Sequence, residues 1–198
     1  MGQIVLNIGA GEKRYSDEGI INVDITPGNG IDIVTDLCKF PWMWEDNSVD
    51  GIHLSHVLEH FFDHEKVLRE CYRILKPGGF FRIVVPHSTN ISSVGCIGHY
   101  RTFSCDTLHN YLTRHSRIDR YMFSDIKFKT DYYYINWIWE ETKNKGYKDF
   151  PKWSRWFLPI LDKTINRLIK ISPRMFERFW YFLVGGASEV VWKGIKIG

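Results

Sequence analysis

The sequence lacks any C-x-x-C pair, and its four cysteines (Cys38, Cys71, Cys96 and Cys105) stand at no metal-like spacing from a histidine. That argues against a zinc ribbon or finger and points to no metal ligands. It fits reduced thiols of a cytosol better than a disulfide frame. Long apolar runs are missing too: none approaches the ~18 residues of a membrane span. The opening "MGQIVLNIGAG" enters a strand directly, without the basic stretch and apolar core of a secretory leader. The expectation is a soluble, cytoplasmic protein. Internal repeats and low-complexity tracts are absent, so at 198 residues one domain with an appendage is the default.

A large net charge is also absent, but the value of +3 hides an asymmetry. Residues 137–198 hold twelve Lys/Arg against six Asp/Glu, whereas the first 136 hold fourteen against seventeen. Six of the eight tryptophans also fall after residue 136, so the chain changes character there. Hydrophobic residues at 44% are ample for a core.

Apolar runs at Ile4–Ile8, Ile20–Ile25 and Phe80–Pro86, with alternating "GIDIVTDL" (Gly30–Leu37), read as strands, as does the start of "VDGIHLSHVLEH" (Val49–His60). "PWMWEDNSVD" reads as a turn region or short helix. "DHEKVLRECYRILK" (Asp63–Lys76) is the best helix: Val67, Leu68, Cys71, Ile74 and Leu75 share a face, acids lead, bases close, and Pro77-Gly78-Gly79 stops it. A helix follows at Phe103–His115, a strand within Tyr121–Ile135, and a last strand at Glu189–Ile197. The order predicts an open α/β sheet with mostly parallel strands.

In such a sheet, ligands sit beyond the carboxyl ends of the strands. Gly9 and Gly11 fall there, free to take positive φ and to admit a ligand against the backbone. Asp24 closes the neighbouring strand, where a carboxylate can accept both hydroxyls of a ribose. The third glycine of a dinucleotide fingerprint is missing. Glu12, Lys13 and Arg14 stand there instead, and Glu12 would repel a phosphate. That predicts a cofactor with a ribose but no pyrophosphate, which S-adenosylmethionine satisfies.

From residue 4 to about 115 the chain resembles the class I S-adenosylmethionine-dependent methyltransferases, of the small bacterial type 11 kind. "LNIGAG", "INVDI", "TDL", "SVDGIHLSHVLEH" and "VLRECYRILKPGGFFRIVVP" match that family's motifs in order. The resemblance implies a Rossmann-like sheet of seven strands with the last antiparallel. It implies that Gly9, Ala10 and Gly11 line the methionine part of the cofactor, that Asp24 binds the ribose with Ile25 on the adenine, that Asp36 and Leu37 meet the adenine edge, and that Ser55 and His56 lie beside the sulfonium. Asn7 departs from the pattern. Many members carry an acid there, and Asn can orient loop amides but brings no charge to the cofactor's ammonium.

Methyl transfer needs alignment of a nucleophile and exclusion of water, with a base where the acceptor is a hydroxyl or amine. His99, His60 and His87 are the candidate bases, with His99 favoured; each fits a structural role as well. Arg101 can clamp an anionic substrate or sit in a surface ion pair. "VVPHSTN" after the fifth strand is not the [DN]-P-P-[YFW] signature of enzymes that methylate amino groups of nucleic-acid bases. The first 136 residues are also net acidic, so DNA is not expected as a substrate.

The expected organisation is a cofactor-binding core at 1–135, a helical segment at 136–186 and a final core strand at 187–198. A parallel sixth strand ends on the cofactor side, so 136–186 is expected over or beside the site as a lid or acceptor platform. Within Arg155–Leu183, Phe157, Leu161, Ile165, Leu168 and Ile169 form one helical face, and Lys163, Arg167, Lys170 and Arg174 a basic stripe. Such a helix suits an anionic bilayer surface, or packs on the core or a twin subunit in a homodimer. The resemblance implies a small-molecule, sugar or lipid-linked saccharide acceptor and O-methyl transfer. The alternative is a non-catalytic cofactor-binding or membrane-associated protein that keeps the fold.

Overall fold

A computed structural model describes residues 2–11, 15–113, 126–138, 140–148, 150–177 and 187–197. Glu12, Lys13 and Arg14, and residues 178–186 of the helical segment, lie outside the described residues.

Seven strands form one sheet: β1 (Val5–Ile8), β2 (Ile20–Asp24), β3 (Ile33–Val34), β4 (Val49–Ser55), β5 (Leu75–Pro86), β6 (Phe128–Asn136) and β7 (Glu189–Lys196). Their order is β3-β2-β1-β4-β5-β7-β6. β1 to β5 run parallel, and β7 is antiparallel to both β5 and β6. The sheet is therefore the expected one, with the last strand reversed. Its middle strands are buried on both faces, which is why they read as unbroken apolar runs.

β1 follows the fate of its sequence closely. Val5, Leu6 and Ile8 are buried, and among the described residues no helix separates β1 from β2. The third strand is shorter than expected. Only Ile33 and Val34 pair with β2, and before them the Asp32 carboxylate accepts the amide of Asn22 at 2.7 Å. "PWMWEDNSVD" is turn rather than helix.

α1 (His64–Ile74) is capped by Asp63, whose side chain accepts the Lys66 amide at 3.1 Å. Val67, Leu68, Cys71 and Ile74 bury its inner face. It ends one residue before the strand begins, so Pro77-Gly78-Gly79 sits inside β5. There the pairing with β4 slips from Val49↔Leu75 to Gly51↔Phe80. Lys196 closes the helix end, donating to the carbonyls of Tyr72 and Leu75 at 2.8 and 2.7 Å.

The remaining helices are α2 (Ile91–Gly95), α3 (Cys105–Thr113), α4 (Glu140–Asn144), α5 (Leu158–Ile171) and the single turn α6 (Pro173–Met175). The last three lie between β6 and β7, where the insertion was expected. α5 packs by Ile165 and Ile169 into a small second core with Ile135, Cys105, Phe176 and Ala187. Its buried face is Leu158, Asp162, Ile165 and Ile169, rotated from the expected one. Leu161 and Leu168 face outward. The cause is Asp162, 5% exposed, which receives Lys143 of α4 at 3.2 Å and the Asn166 amide at 2.6 Å.

Candidate cofactor and methyl-transfer site

β1 ends at Gly9, whose φ of +65° carries the chain into a tight turn. A Cβ there would lie 2.2 Å from a methyl of Val57, so the turn is pressed against the loop after β4. Gly11, also at positive φ, points its N–H at Asp24 Oδ2, 2.8 Å away. Thr26 donates its own N–H to Oδ1 at 2.8 Å. Asp24 is thus fixed by two backbone amides, and a carboxylate's remaining lone pairs stay available to a diol.

Beside this turn lies a cavity of about 330 Å³. Gly9, Asp24 and Ile25 wall one part, Thr35, Asp36, Leu37 and Cys38 another, and His56, Val57, His60 and Phe61 the third. Six of the residues expected to hold the cofactor therefore meet in one place: Gly9, Asp24, Ile25, Asp36, Leu37 and His56. Ile25 is 63% exposed and presents an apolar side chain to whatever enters. Gly11 acts through Asp24. Ala10 is buried and donates its N–H to Val23 O at 3.0 Å. Asn7 is buried under the turn and donates to Asn22 Oδ1 at 2.9 Å, bracing β1 on β2. Ser55 ends β4; none of Ala10, Gly11, Asn7 and Ser55 is among the cavity's walls.

The histidines separate into two groups. His87 is 1% exposed, with Nδ1 accepting from the Thr89 amide at 3.2 Å and Nε2 2.8 Å from Glu177 Oε1. Those partners place its proton on Nε2 and engage both nitrogens in tying β5 to the residues after α6. Glu177 also accepts the Cys105 N–H and thiol. Burial acts to raise the Glu177 pKa, but the bonds from His87 and Cys105 outweigh it and hold the carboxyl below its usual range.

His56 and His60 line the cavity, and His99 stands against His60. His56 sits at φ +56°, a conformation uncommon outside glycine and frequent at functional sites. Its Nε2 is 3.3 Å from Glu189 and its Nδ1 3.6 Å from Glu59. The His60 and His99 rings meet edge-on with centroids 4.7 Å apart. Glu189 opens β7 opposite Pro86 and Asn136, so the antiparallel strand brings its first residue to the cofactor edge. Burial tends to raise its pKa, while bonds from His56 and Asn136 and the charge of His56 bring it below the carboxylate norm. Glu189 escaped the sequence reading, though a lone acid opening an apolar strand was a signal. Val57 and Phe61 carried none.

Arg101 lies apart from this cavity. With Phe62, His64, Tyr100 and Tyr111 it lines a second cleft of about 360 Å³. Phe62 and Tyr100, 83% and 60% exposed, meet edge-on at its rim. The cleft follows directly in sequence from His60–Phe61 and from His99.

Comparison with known proteins bears on the fold and on the first part of the chain. Residues 8–83 match the methyltransferase domain family. A demethylmenaquinone methyltransferase of Listeria monocytogenes is 32% identical over 81 residues, 41% of this chain and 30% of that protein. A probable S-adenosylmethionine-dependent methyltransferase of Mycolicibacterium smegmatis is 36% identical over 70 residues, 35% of this chain and 24% of its own length. The chain thus matches less than a third of the length of these curated relatives. Among solved structures, a SAM-dependent methyltransferase from Archaeoglobus fulgidus superposes with a TM-score of 0.57 at 18% identity, over 98% of this chain and 86% of that one. Phosphoethanolamine N-methyltransferase 2 of Haemonchus contortus, in complex with S-adenosyl-L-methionine, gives 0.58 at 16%, over 100% and 49%. Residues 8–83 thus resemble a methyltransferase domain, and the described chain has the fold seen in S-adenosylmethionine-dependent methyltransferases of known structure.

Proposed function

We propose that the chain is an S-adenosylmethionine-dependent methyltransferase acting on an oxygen of a small-molecule, sugar or lipid-linked saccharide acceptor. The observation that carries this reading is the pre-set Asp24 carboxylate, locked by two amides at the rim of the cavity between Gly9 and Ile25. The walls suit the cofactor: an acid for the ribose diol, Ile25 and Leu37 as apolar faces for adenine, and Asp36 for its amino edge. When bound, the cofactor supplies an electrophilic methyl on a sulfonium. The protein's task is then to orient the acceptor, exclude water and manage one proton.

That proton is managed at the group of Glu59, His60 and His99, with His56 behind it. His87 is committed elsewhere. The cleft of Arg101, Phe62 and Tyr100, with Asp63 and Glu65 also in its walls, supports an acceptor site for a molecule with an apolar face and hydroxyl groups. α5 packs on β6, at the far edge of the sheet from β2 and β3, which favours an outlying platform over a flap. Its exposed Ile160, Leu161, Leu168 and Ile171, beside Lys163, Arg167 and Lys170, fit contact with an anionic lipid surface. Among the described residues no helix is long and apolar enough to cross a membrane. That outer face is also what favours the second reading, a membrane-associated protein that keeps the fold without catalysis.

Calorimetric titration with S-adenosylmethionine tests the first reading. Equimolar binding is expected, weakened at least tenfold by Asp24→Asn, since hydrogen bonds to a charged group contribute about 1.5–3 kcal/mol. No heat from the unsubstituted protein sinks the proposal.

A further inference from the structure

We infer that Glu59, His60 and His99 form a divalent-metal site at the mouth of the cofactor cavity, and that the ion held there binds the hydroxyl of the methyl acceptor. The second half rests on the methyltransferase reading; the first stands alone.

One ligand atom from each of the three residues lies within 4.8 Å of the other two. Around a tetrahedral ion with bonds of about 2.0–2.2 Å, ligand atoms stand about 3.3–3.6 Å apart. Small side-chain rotations therefore close the site. Glu59 is 1% exposed, and its Oε2 is enclosed without a hydrogen-bond partner among the described residues. An unpartnered buried carboxylate oxygen is costly, and a cation offsets that cost. His99 Nδ1 is enclosed and unpartnered in the same way.

The surroundings have the arrangement that metal ligands need. His60 Nδ1 is 3.0 Å from the carbonyl of Gly98, which places the ring proton there and the lone pair on Nε2. Glu59 Oε1 faces His56 Nδ1 at 3.6 Å, and His56 is anchored in turn by Glu189. The Tyr100 N–H donates to Glu59 O at 2.8 Å and His99 N–H to Cys96 O at 3.0 Å, so the loop bearing His99 is pinned to the turn bearing Glu59 and His60.

Two imidazoles and one carboxylate select a transition ion such as zinc, cobalt(II) or iron(II), whereas magnesium and calcium take oxygen ligands. Three protein ligands leave positions open for water or a substrate oxygen. His60 borders the cofactor cavity, and the residue after His99 borders the Arg101 cleft. An ion between them meets both compartments and would acidify the hydroxyl it binds, the proton leaving to solvent water. The acceptor class that follows is a hydroxylated molecule able to coordinate through oxygen.

The test uses the full chain, stripped with a chelator and titrated with cobalt(II) while visible absorption is read. Equimolar binding with ligand-field bands is expected. Glu59→Gln and His99→Gln each weaken it at least tenfold, while S-adenosylmethionine affinity by calorimetry changes less than threefold. Circular dichroism checks folding, and His99→Gln alone decides the matter if Glu59→Gln unfolds. Cobalt that fails to bind at one equivalent, or binds equally well to the variants, overturns the site. Equimolar cobalt in a protein that gives no heat with S-adenosylmethionine overturns the acceptor role.

Discussion

Asp24 and Gly9 show how much of this site is decided residue by residue. The carboxylate is oriented before any ligand arrives because Gly11 and Thr26 donate to it from the flanking backbone. Gly9 is irreplaceable for two separable reasons, its φ of +65° and the contact that any Cβ would make with Val57. Gly9→Ala should therefore lower the unfolding midpoint and weaken cofactor binding. Adding Val57→Ala relieves the clash but leaves the left-handed backbone cost of about 1–2 kcal/mol. The prediction for thermal melts is partial recovery in the double variant; full recovery, or none, contradicts this account. These residues were legible in the sequence because a glycine turn and an acid at consecutive strand ends are local features. His87 was not legible: only the fold shows Glu177, ninety residues on, occupying its Nε2. Glu59 and His60 are adjacent in the chain, but their meeting with His99 depends on the loop after β5. No spacing rule reaches across that loop.

Among the elements, α5 departs most from its periodicity. An acid on a helix ordinarily marks the solvent side. Asp162 points inward because Lys143, Asn166 and Tyr147 surround it, with the tyrosine hydroxyl 3.4 Å away. The rotation leaves Ile160, Leu161, Leu168 and Ile171 on an outer face with the basic residues alongside. Trp153 and Trp156, 71% and 75% exposed, extend that face before the helix begins. Three of the four residues of the basic stripe were readable, since Lys163, Arg167 and Lys170 are exposed as their spacing predicts, whereas Arg174 lies on α6 and pairs with Asp106 at 2.6 Å. On the lipid-surface reading, the protein should co-sediment with vesicles containing phosphatidylserine, and high salt should release it. Each basic residue near such a surface contributes about 1 kcal/mol. Lys163→Ser with Arg167→Ser is then expected to weaken binding roughly thirtyfold, and Trp156→Ala to weaken it without altering the salt dependence. Equal sedimentation with neutral vesicles would remove the electrostatic part of the argument.

For the molecule as a whole, acid is the condition that should separate its parts. Half-buried Glu177 and buried Glu189 join distant elements: Glu177 ties β5, α3 and the end of α6, and Glu189 ties β7, the loop after β4 and α4. Both are held below the ordinary carboxylate range. A carboxyl whose folded pKa lies under its unfolded value of about 4.3 stabilises fully above that pH and ceases to do so as pH falls through the folded value. His53 acts in a higher window. Burial first, then the charges of Arg82 and Lys193, lower its pKa to about 4. Its ring lies between Tyr15 and Phe80, with centroids 5.6 and 5.2 Å away. The unfolded chain takes up that proton near pH 6.5, and the folded chain refuses it until about pH 4. Stability is therefore fully present above about pH 6.5 and erodes between there and about pH 4. His64, lowered by burial and then by Arg101, adds in the same direction. The unfolding midpoint should accordingly fall in two stages, the first from the histidines and the second, below about pH 4.3, from the glutamates. His53→Phe keeps the ring contacts and removes a titrating group, so it should flatten the first stage and leave the second. Glu177→Gln should lower the midpoint at neutral pH and flatten only the second. Midpoints measured from pH 8 to pH 3 decide this, and a His53→Phe curve that parallels the unsubstituted protein throughout would show that the buried ring does not drive the first stage.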